Sequence, residues 1–338
     1  MSTTTPAAAA PLTADELARA TEAIDRVAEA FSSRVVGQDR LRTALLVSLL
    51  AEGHVLMESV PGLAKTLSAS TLAQAIDARF SRIQCTPDLL PSDIIGTQVY
   101  DPRTHEFETQ LGPVHANLVL LDEINRASAK TQSALLEAMQ EQQTSIAGTI
   151  HHLPTPFLVL ATQNPIDHEG TYVLPHAQMD RFLLKEIVDY PAEADEVAVL
   201  DRIDDGTLGQ HQQPVAPVIS TADVVDLQSL VRRVYVDPAI KKYVVGIVRA
   251  TRAGAQVLGA QLAPFVEIGA SPRGTIAFFQ AARAMAVLQG RHYVIPEDVR
   301  DLRYSVLRHR IHLSFEALAD RVAPETIIDA VFRAVPTP

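Results

Sequence analysis

The segment SVPGLAKT at residues 59–66 has the residue types of a loop that binds phosphate groups. Its backbone amides can surround phosphate oxygens, Lys65 can neutralise the charge of a β- or γ-phosphate, and Thr66 can offer an oxygen to Mg²⁺. Against the full pattern GxxxxGK[ST], Ser59 stands at the first glycine position and Ala64 at the second. We expect Ala64 to be harmless if its backbone is right-handed. An ordinary strand-turn-helix with an exposed lysine is the competing interpretation.

Two adjacent carboxylates end the apolar run NLVLLDE at residues 117–123. Asp122 would hold Mg²⁺, usually through water, and Glu123 would orient and polarise the water that attacks a phosphate. Adjacent carboxylates in a cleft repel each other unless a cation lies nearby. An exposed acidic pair at a strand end is the alternative, but a pair that follows a phosphate loop at this spacing is specific.

Continuous hydrophobic runs indicate strands that are covered on both faces, as in a parallel sheet between two layers of helices. Asn164 follows such a run, at the carboxyl edge where ligands gather, and it could position the attacking water or contact the γ-phosphate. A turn-forming asparagine before Pro165 is the alternative. The expected fold class is therefore an α/β three-layer sandwich. Its candidate strands are HVLME (54–58), SRIQ (81–84), NLVLL (117–121), FLVLA (157–161) and EIVD (186–189).

Helix and turn signals divide the rest of the chain. Thr13 and Glu16 form a capping box that begins a helix, and two strand-like pairs at 97–109 and 144–152 predict hairpins inserted into the α/β part. Beyond the α/β part, Ser271 with Pro272 begins one of several helices of a small all-helical domain. The predicted organisation is a flexible tail (1–12), an α/β domain (13–203), a linker (204–220) and a helical domain (221–338).

Composition narrows the functional classes. The 29 basic and 40 acidic residues give the 338-residue chain a net charge of −11, which disfavours general binding to nucleic acid. A single cysteine, Cys85, excludes an internal disulfide and fits a reducing cytoplasm, where we expect the protein. No apolar run reaches the roughly 18 to 20 residues that a membrane span requires. The histidines have no metal-ligand spacing, and we expect Cys85 to be a small buried hydrophobe.

Several longer strings resemble the MoxR family of AAA+ ATPases. The resemblance runs from VVGQ at 35–38 through RHRIHLSFEA at 308–317, and it includes alanine before the motif lysine. Together these strings are more diagnostic than the phosphate loop by itself. They are ESVPGLAKT (58–66), TPDLLPSDIIGT (86–97), LLDEINRASAKTQSALLEAMQEQQ (120–143), LATQNPIDHEGTYVLPHAQMDRF (160–182) and ASPRG (270–274).

The resemblance implies a P-loop AAA+ core and a helical lid, with ATP and Mg²⁺ between them. It places Val36 and Gly37 beside adenine, makes Arg181 an arginine finger that enters a neighbouring subunit's site, and makes Arg273 the sensor 2 residue. An arginine in the first turn of a helix is unfavourable for the helix dipole, so an anionic partner is a better reason for Arg273 than helix stability. The residues expected to contact the nucleotide phosphates and their metal are Ser59, Val60, Pro61, Gly62, Leu63, Ala64, Lys65, Thr66 and Asp122.

The resemblance further implies a homo-oligomer, expected to be a hexamer, that acts on a protein client. Chaperone-like maturation or metal insertion, with a partner that carries a von Willebrand factor A domain, is the leading hypothesis. A nucleotide-gated scaffold with little hydrolysis and a nucleic-acid motor are the alternatives, and a magnesium-chelatase-like subunit is a near relative. Few cations lie at the hairpin tips, which argues against the motor. For Arg126, a phosphate, interface or structural role remains open.

Overall fold

The structure is a computed structural model. It describes residues 12–60, 62–164, 172, 174–208 and 214–338. The first eleven residues of the predicted tail, Pro61 of the phosphate loop and residues 209–213 of the predicted linker lie outside the described residues.

Five parallel strands form the central sheet, and three antiparallel pairs lie outside it. The strands in chain order are β1 (Val55–Ser59), β2 (Phe80–Gln84), β3 (Gly96–Asp101), β4 (Glu106–Leu111), β5 (Leu118–Asp122), β6 (Gln143–Ile146), β7 (Thr149–His152), β8 (Leu158–Gln163), β9 (Leu184–Val188), β10 (Val266–Ile268) and β11 (His312–Leu313). The order across the parallel sheet is β2-β5-β8-β1-β9. All five candidate strands of the sequence therefore belong to this sheet.

The helices precede, cover and follow the sheet. In chain order they are α1 (Ala14–Ser32), α2 (Asp39–Leu50), α3 (Lys65–Ala75), α4 (Pro91–Ile95), α5 (Ala129–Glu141), α6 (His176–Met179), α7 (Glu193–Asp204), α8 (Thr221–Arg232), α9 (Pro238–Ala250), α10 (Ala255–Leu262), α11 (Pro272–Leu288), α12 (Pro296–Asp301), α13 (Arg303–Leu307), α14 (Phe315–Ala319) and α15 (Pro324–Ala334). No helix in the described part of the chain is long and apolar enough to cross a membrane.

Two hydrophobic clusters, one on each face of the sheet, confirm the three-layer sandwich. Successive residues of a strand point to opposite faces, so Leu118 and Leu120 of β5 join one cluster while Val119 and Leu121 join the other. The first cluster includes α1, α2, α3 and the carboxyl-terminal helices, and the second includes α5. Burial on both faces explains why these strands are continuously apolar.

Local signals determine where several helices begin. Thr13 accepts a hydrogen bond from the Glu16 amide while the Glu16 carboxylate accepts one from the Thr13 amide, which confirms the capping box. Ser271 accepts a hydrogen bond from the Arg273 amide at the start of α11. The carboxyl-terminal helices are joined by one short antiparallel pair, β10 with β11, so this part is helical apart from that pair.

The two predicted hairpins are present as β3 with β4 and β6 with β7. Tyr100 and Phe107 lie opposite each other on the first hairpin, with ring centroids 5.4 Å apart, and both are exposed. The carboxyl-terminal helices pack directly on the α/β part, since the Gln228 amide of α8 donates to the Leu49 carbonyl of α2. The domain limits themselves remain a prediction.

Candidate active site

The phosphate loop connects the carboxyl end of β1 to the first residue of α3. Gly62 has a φ of 88°, and a Cβ built there would have open space on all sides within 4 Å. Ala64 has φ 51° and ψ 23°, so its backbone is left-handed. The condition under which Ala64 would be harmless, a right-handed backbone, is therefore not met. The loop must reverse between strand and helix, and a left-handed non-glycine residue costs about 1 to 2 kcal/mol.

Ser59, the departure from the first motif glycine, lies inside β1 and pairs with Val188 of β9. An extended backbone accepts any side chain, so this position does not require the conformational freedom of glycine. Its hydroxyl oxygen is buried and has no hydrogen-bond partner within the described structure. A buried polar atom without a partner at this loop is a feature that an added polar ligand would satisfy.

Lys65, the first residue of α3, is half-buried, and its ammonium lies 3.4 Å from the Val60 carbonyl oxygen. Burial lowers the pKa of Lys65, and the nearby carboxylates of Asp122 and Glu123 partly oppose that shift. The two acidic residues are therefore close enough to the lysine to act on its charge. Lys65 follows the carboxyl end of β1 and Asp122 ends β5, so the lysine and the acidic pair lie at the same carboxyl edge of the sheet, with β8 between the two strands.

Asp122 is the last residue of β5, and its side chain is almost fully buried. Its Oδ1 accepts a hydrogen bond from the Thr162 hydroxyl at 3.1 Å. Its Oδ2 forms an ion pair with Arg82 of β2, with Nη2 at 2.7 Å. A cation beside Asp122 would therefore compete with Arg82 for the same carboxylate.

Glu123 follows β5 with a left-handed backbone, at φ 56° and ψ 52°. Its amide donates to the Thr162 hydroxyl at 2.8 Å, so Thr162 contacts both acidic residues. Its Oε2 accepts hydrogen bonds from Gln84 at 3.1 Å and from Arg126 at 3.2 Å. Arg126 thus contacts one member of the acidic pair, which favours a role in orienting Glu123.

The other residues expected near the nucleotide lie along the same edge. Asn164 follows the last residue of β8, and Thr66 is the second residue of α3. Gly37 has a φ of 69°, and a Cβ there would lie 2.6 Å from a carboxylate oxygen of Asp195 in α7. The segment expected beside adenine therefore packs against α7, and a side chain at Gly37 would be strained and would clash.

The side chains at the carboxyl edge fit an Mg²⁺ ion bound together with a nucleotide better than a metal ion held by protein groups alone. Among the described residues, no group of three or more His, Cys, Asp or Glu could hold a metal ion. Magnesium is typically bound by one or two protein oxygens together with phosphate and water. Asp122 and Thr66 match that requirement, and the Lys65 ammonium is available to phosphate oxygens.

Arg181 and Arg273 lie together, but not at this edge. Arg181 precedes β9, whose first residue pairs with Val55, the first residue of β1. Both arginines line a cavity of about 370 Å³ that also includes His54, which immediately precedes β1. This cavity is thus at the amino edge of the sheet, while Lys65 follows the carboxyl end of β1. Five residues of strand separate the two edges by roughly 16 Å.

A buried ion pair holds together residues that line the cavity at the amino edge. Arg310, whose side chain is 2% exposed, donates from Nε to Oδ1 of Asp180 at 2.9 Å. The other oxygen of Asp180 accepts from the Ser271 hydroxyl at 2.6 Å, and Ser271 caps the helix that carries Arg273. Burial lowers the pKa of Arg310 to about 10, an effect that Asp180 opposes and Arg273 reinforces. Positive charge therefore accumulates around Asp180, and the buried Nε of Arg181 has no hydrogen-bond partner among the described atoms.

The sequence interpretation missed five residues that hold these groups in place. The parallel pairing of β2 with β5 sets Gln84 opposite Asp122, a register that polar residues at both strand ends could have suggested. For the others, no local pattern distinguishes a contact residue from an exposed one. The five are Arg82, Gln84, Thr162, Asp180 and Arg310. Cys85 is buried as expected, and burial, with Asp122 and Glu123 nearby, raises its pKa to about 12.

A parallel sheet with a phosphate loop at its carboxyl edge, an acidic pair beside it and a helical lid defines a nucleotide-binding module of the AAA class. The profile of the ATPase family associated with various cellular activities (AAA) matches residues 54–184, and that of the AAA lid domain matches residues 260–331.

Relatives that match nearly the whole chain define the family more narrowly. Chaperone MoxR1 of Mycobacterium tuberculosis is 47% identical over 330 residues, which cover 98% of this chain and 86% of that protein. Protein MoxR of Methylorubrum extorquens is 31% identical over 94% of this chain and 96% of its own length. The crystal structure of a candidate ATPase from Cytophaga hutchinsonii matches with a TM-score of 0.90 and 41% identity, over 96% of this chain and 97% of that chain. The chain belongs to the MoxR family of AAA+ ATPases.

Proposed function

We propose that this protein hydrolyses ATP and uses the reaction to remodel or mature a protein client. The observation that carries the proposal is that Lys65, which follows β1, and Asp122 with Glu123, which end and follow β5, lie at the same carboxyl edge of the parallel sheet. Asn164, at the end of the neighbouring strand, would contact the γ-phosphate or the attacking water. Membership of the AAA family supports nucleotide binding, and the specific use of ATP with Mg²⁺ is part of the proposal.

The chemistry follows from the roles of three side chains. Lys65 would bind β- and γ-phosphate oxygens through its ammonium group. Glu123 would orient a water molecule and take its proton as the water oxygen attacks the γ-phosphorus and the bond to the bridging oxygen breaks. Asp122 would hold Mg²⁺ through water, and the metal would neutralise charge on the phosphates. Gln84 and Arg126 would hold the Glu123 carboxylate in position.

We propose that Arg181 and Arg273 complete the site of the next copy. Within one chain they lie at the opposite edge of the sheet from Lys65, so they cannot reach the same phosphate. An arginine supplied in trans accelerates hydrolysis by about 10³ to 10⁵ in related phosphoryl-transfer systems. Hydrolysis would therefore depend on assembly, and a hexameric ring is the arrangement that we propose.

Multiple-turnover phosphate release at saturating Mg-ATP tests the hydrolysis. The Glu123→Gln variant should bind nucleotide like wild type and release phosphate at least about 100-fold more slowly, because it lacks the proton acceptor. Lys65→Ala is the matched control that should lose nucleotide binding itself. Unchanged turnover in Glu123→Gln would remove this residue from the mechanism. Absent turnover in assembled wild-type protein would favour the nucleotide-gated scaffold instead.

We propose that the first hairpin contacts the client. Tyr100 and Phe107 form an exposed aromatic pair on it, and exposed aromatic residues are enriched where proteins bind one another. The chaperone name of the relative from Mycobacterium tuberculosis supports a protein client. Metal insertion and a partner with a von Willebrand factor A domain are included in the proposal through the MoxR resemblance.

A pull-down with the slowly hydrolysing Glu123→Gln variant tests this contact. With Mg-ATP it should retain clients that Lys65→Ala does not, because only the former holds the nucleotide. Replacing Tyr100 and Phe107 by serine in the Glu123→Gln background should abolish this retention of clients. Replacing the exposed Tyr235 and Val245 of the helical part provides the matched control. Retention of the same clients without the hairpin aromatics would refute the role of the hairpin.

A nucleic-acid motor is the less favoured function. On the first hairpin, the cation Arg103 is already paired with Asp101, and the turn of the second is Ala147 with Gly148. A tight, steeply salt-dependent titration with DNA would reverse this preference. Because the proposed reaction consumes ATP, a cytoplasmic location is part of the proposal.

A further inference from the structure

Helix α7 carries its large hydrophobic residues on the outside. Val197, Leu200 and Ile203 are 51%, 63% and 51% exposed and form one stripe of the helix, here called the α7 face. None of the twelve residues of α7, all of them described, is buried. A surface helix normally turns such a stripe toward the core. In a single chain the α7 face is therefore exposed to solvent.

The opposite side of α7 explains its orientation. Arg202 donates from Nη1 to the carbonyl oxygens of Ser32 and Ser33, at 3.0 and 3.1 Å, and Asp195 packs against Gly37. These polar contacts hold α7 on the segment that leads to the adenine residues. The α7 face therefore lies beside the half of the active site that contains Lys65.

A second exposed apolar surface lies in the helical part. Ile268 of β10 and Phe315 and Leu318 of α14 are all exposed, Phe315 by 84%, and they are called the α14 face here. Backbone contacts hold the surface together: the Ser314 amide donates to the Phe265 carbonyl, and β10 pairs with β11.

The α14 face is connected to the arginine half of the site. His312 of β11 packs on His176 of α6, with ring centroids 3.8 Å apart, and α6 leads directly to Asp180 and Arg181. Ile268 precedes Ser271, which caps the helix of Arg273. Each exposed face thus adjoins one half of a site that a single chain cannot close.

We infer that the α7 face of one copy binds the α14 face of the next. This inference rests on the proposed function, which requires Arg181 and Arg273 of one copy at the nucleotide of another. One head-to-tail contact would bury both apolar faces and bring the two halves of the site together. Because the faces differ, the interface is heterologous, and repetition of the same contact closes a ring or extends a filament.

Cysteine cross-linking of the full chain tests the contact directly. The native Cys85 is fully buried, so engineered cysteines can be modified selectively. We would prepare Leu200→Cys and Phe315→Cys separately and together, and treat each with a short bismaleimide in the presence of Mg-ATP. The double variant should give a ladder of linked oligomers. A mixture of the two single variants should give dimers, and each single variant by itself should give none.

The pattern of products distinguishes the alternatives. Linkage within a single variant indicates a two-fold contact between identical faces and overturns the inference. So does an unlinked double variant that light scattering shows to be assembled, and so does a chain that stays monomeric with Mg-ATP. Leu200→Cys combined with Val245→Cys, an exposed position on α9, is the control pair and should not link.

Charge substitutions provide a second measurement. Leu200→Lys and Phe315→Glu should each raise the concentration needed for assembly about tenfold or more, because each places a charge in an apolar contact. Mixing the two variants should recover part of the loss if the residues meet. Both positions are exposed in the single chain, so thermal unfolding of the monomer should be unchanged.

Phosphate release in the same samples separates this inference from the proposed hydrolysis. Cross-linking without turnover leaves the contact standing and refutes hydrolysis. Turnover in an assembly without the Leu200 to Phe315 link refutes the contact alone.

Discussion

The two edges of the central sheet differ in charge and in how their residues come together. The carboxyl edge joins Lys65 to two carboxylates, whereas the amino edge gathers Arg181, Arg273 and Arg310 around Asp180. The first can hold a phosphate with its metal and activate water. The second can only offer positive charge to an anion. Under the proposed function, these two edges of one chain would serve as complementary halves of a site, at opposite ends of the same strands.

The largest expected effect comes from disabling the two edges in separate variants and then mixing the variants. Arg181→Ala should reduce phosphate release by about 10³-fold or more without weakening nucleotide binding to the isolated chain. Lys65→Ala should be inactive because it does not bind nucleotide. Mixing these two inactive variants should restore part of the turnover, since some interfaces then combine an intact Lys65 with an intact Arg181. A mixture as inactive as its components would show that the two edges do not cooperate between copies.

The ion pair at the amino edge should be important for stability as well as position. Asp180→Ala should lower the free energy of unfolding by roughly 3 to 5 kcal/mol, because it leaves the buried Arg310 charge without its partner. The matched control is Asp39→Ala in the exposed pair with Arg42, which should cost less than about 1 kcal/mol. Chemical denaturation of both variants measures the difference. Equal losses of unfolding free energy in the two variants would show that the buried Asp180–Arg310 pair contributes no more to stability than the exposed pair.

Acid should act on the amino edge through His54. Burial lowers the pKa of this imidazole to about 4, while the Val159 amide donates to its Nδ1. The unfolded chain takes up a proton below about pH 6.5 and the folded chain does not, so stability falls as pH falls. From about pH 7 to about pH 5 the loss attributable to His54 should be about 2 kcal/mol.

Unfolding free energies of His54→Gln over this range test the effect. The variant should show a shallower loss of stability than wild type, whatever its stability at neutral pH. His152→Gln, which removes an exposed histidine, is the control. A slope equal to that of wild type would contradict the assignment to His54.

The smallest effect is expected at the carboxyl edge, from restoring the first motif glycine. Ser59→Gly should leave phosphate release within about twofold of wild type, because Ser59 is extended and paired with Val188. It should lower stability by about 0.5 to 1 kcal/mol through the added freedom of glycine in a strand. A large gain in turnover would show that the serine impairs the loop.

Much of the carboxyl edge could be predicted because its residues form short motifs. Lys65 follows its loop directly, and Asp122 with Glu123 ends an apolar strand, so parallel strands necessarily bring them to one edge. The handedness of Ala64 could not be predicted in this way, since it depends on how the loop reverses between β1 and α3.

The contacts at the amino edge could not be predicted from short sequence motifs. Arg181 and Arg273 were identified from the resemblance, but their common cavity depends on Asp180, which contacts Ser271 and Arg310 far along the chain. No spacing in the sequence indicates such a contact, because most polar residues are solvated and nothing in the local sequence marks the few that are buried.

The sequence by itself determined the five strands of the central sheet, the two hairpins, several helix caps and the residues of the phosphate loop and acidic pair, but not the β10 and β11 pair in the part predicted to be all-helical. Each of these depends on neighbours within a few residues, such as hydrophobic periodicity, a capping side chain or a strand end. Tertiary structure decided which side chains support Asp122 and Glu123, and that the arginines lie away from Lys65. It also decided that α7 turns its hydrophobic face outward. Those outcomes depend on strand order, register and packing between distant segments, which local chemistry does not encode.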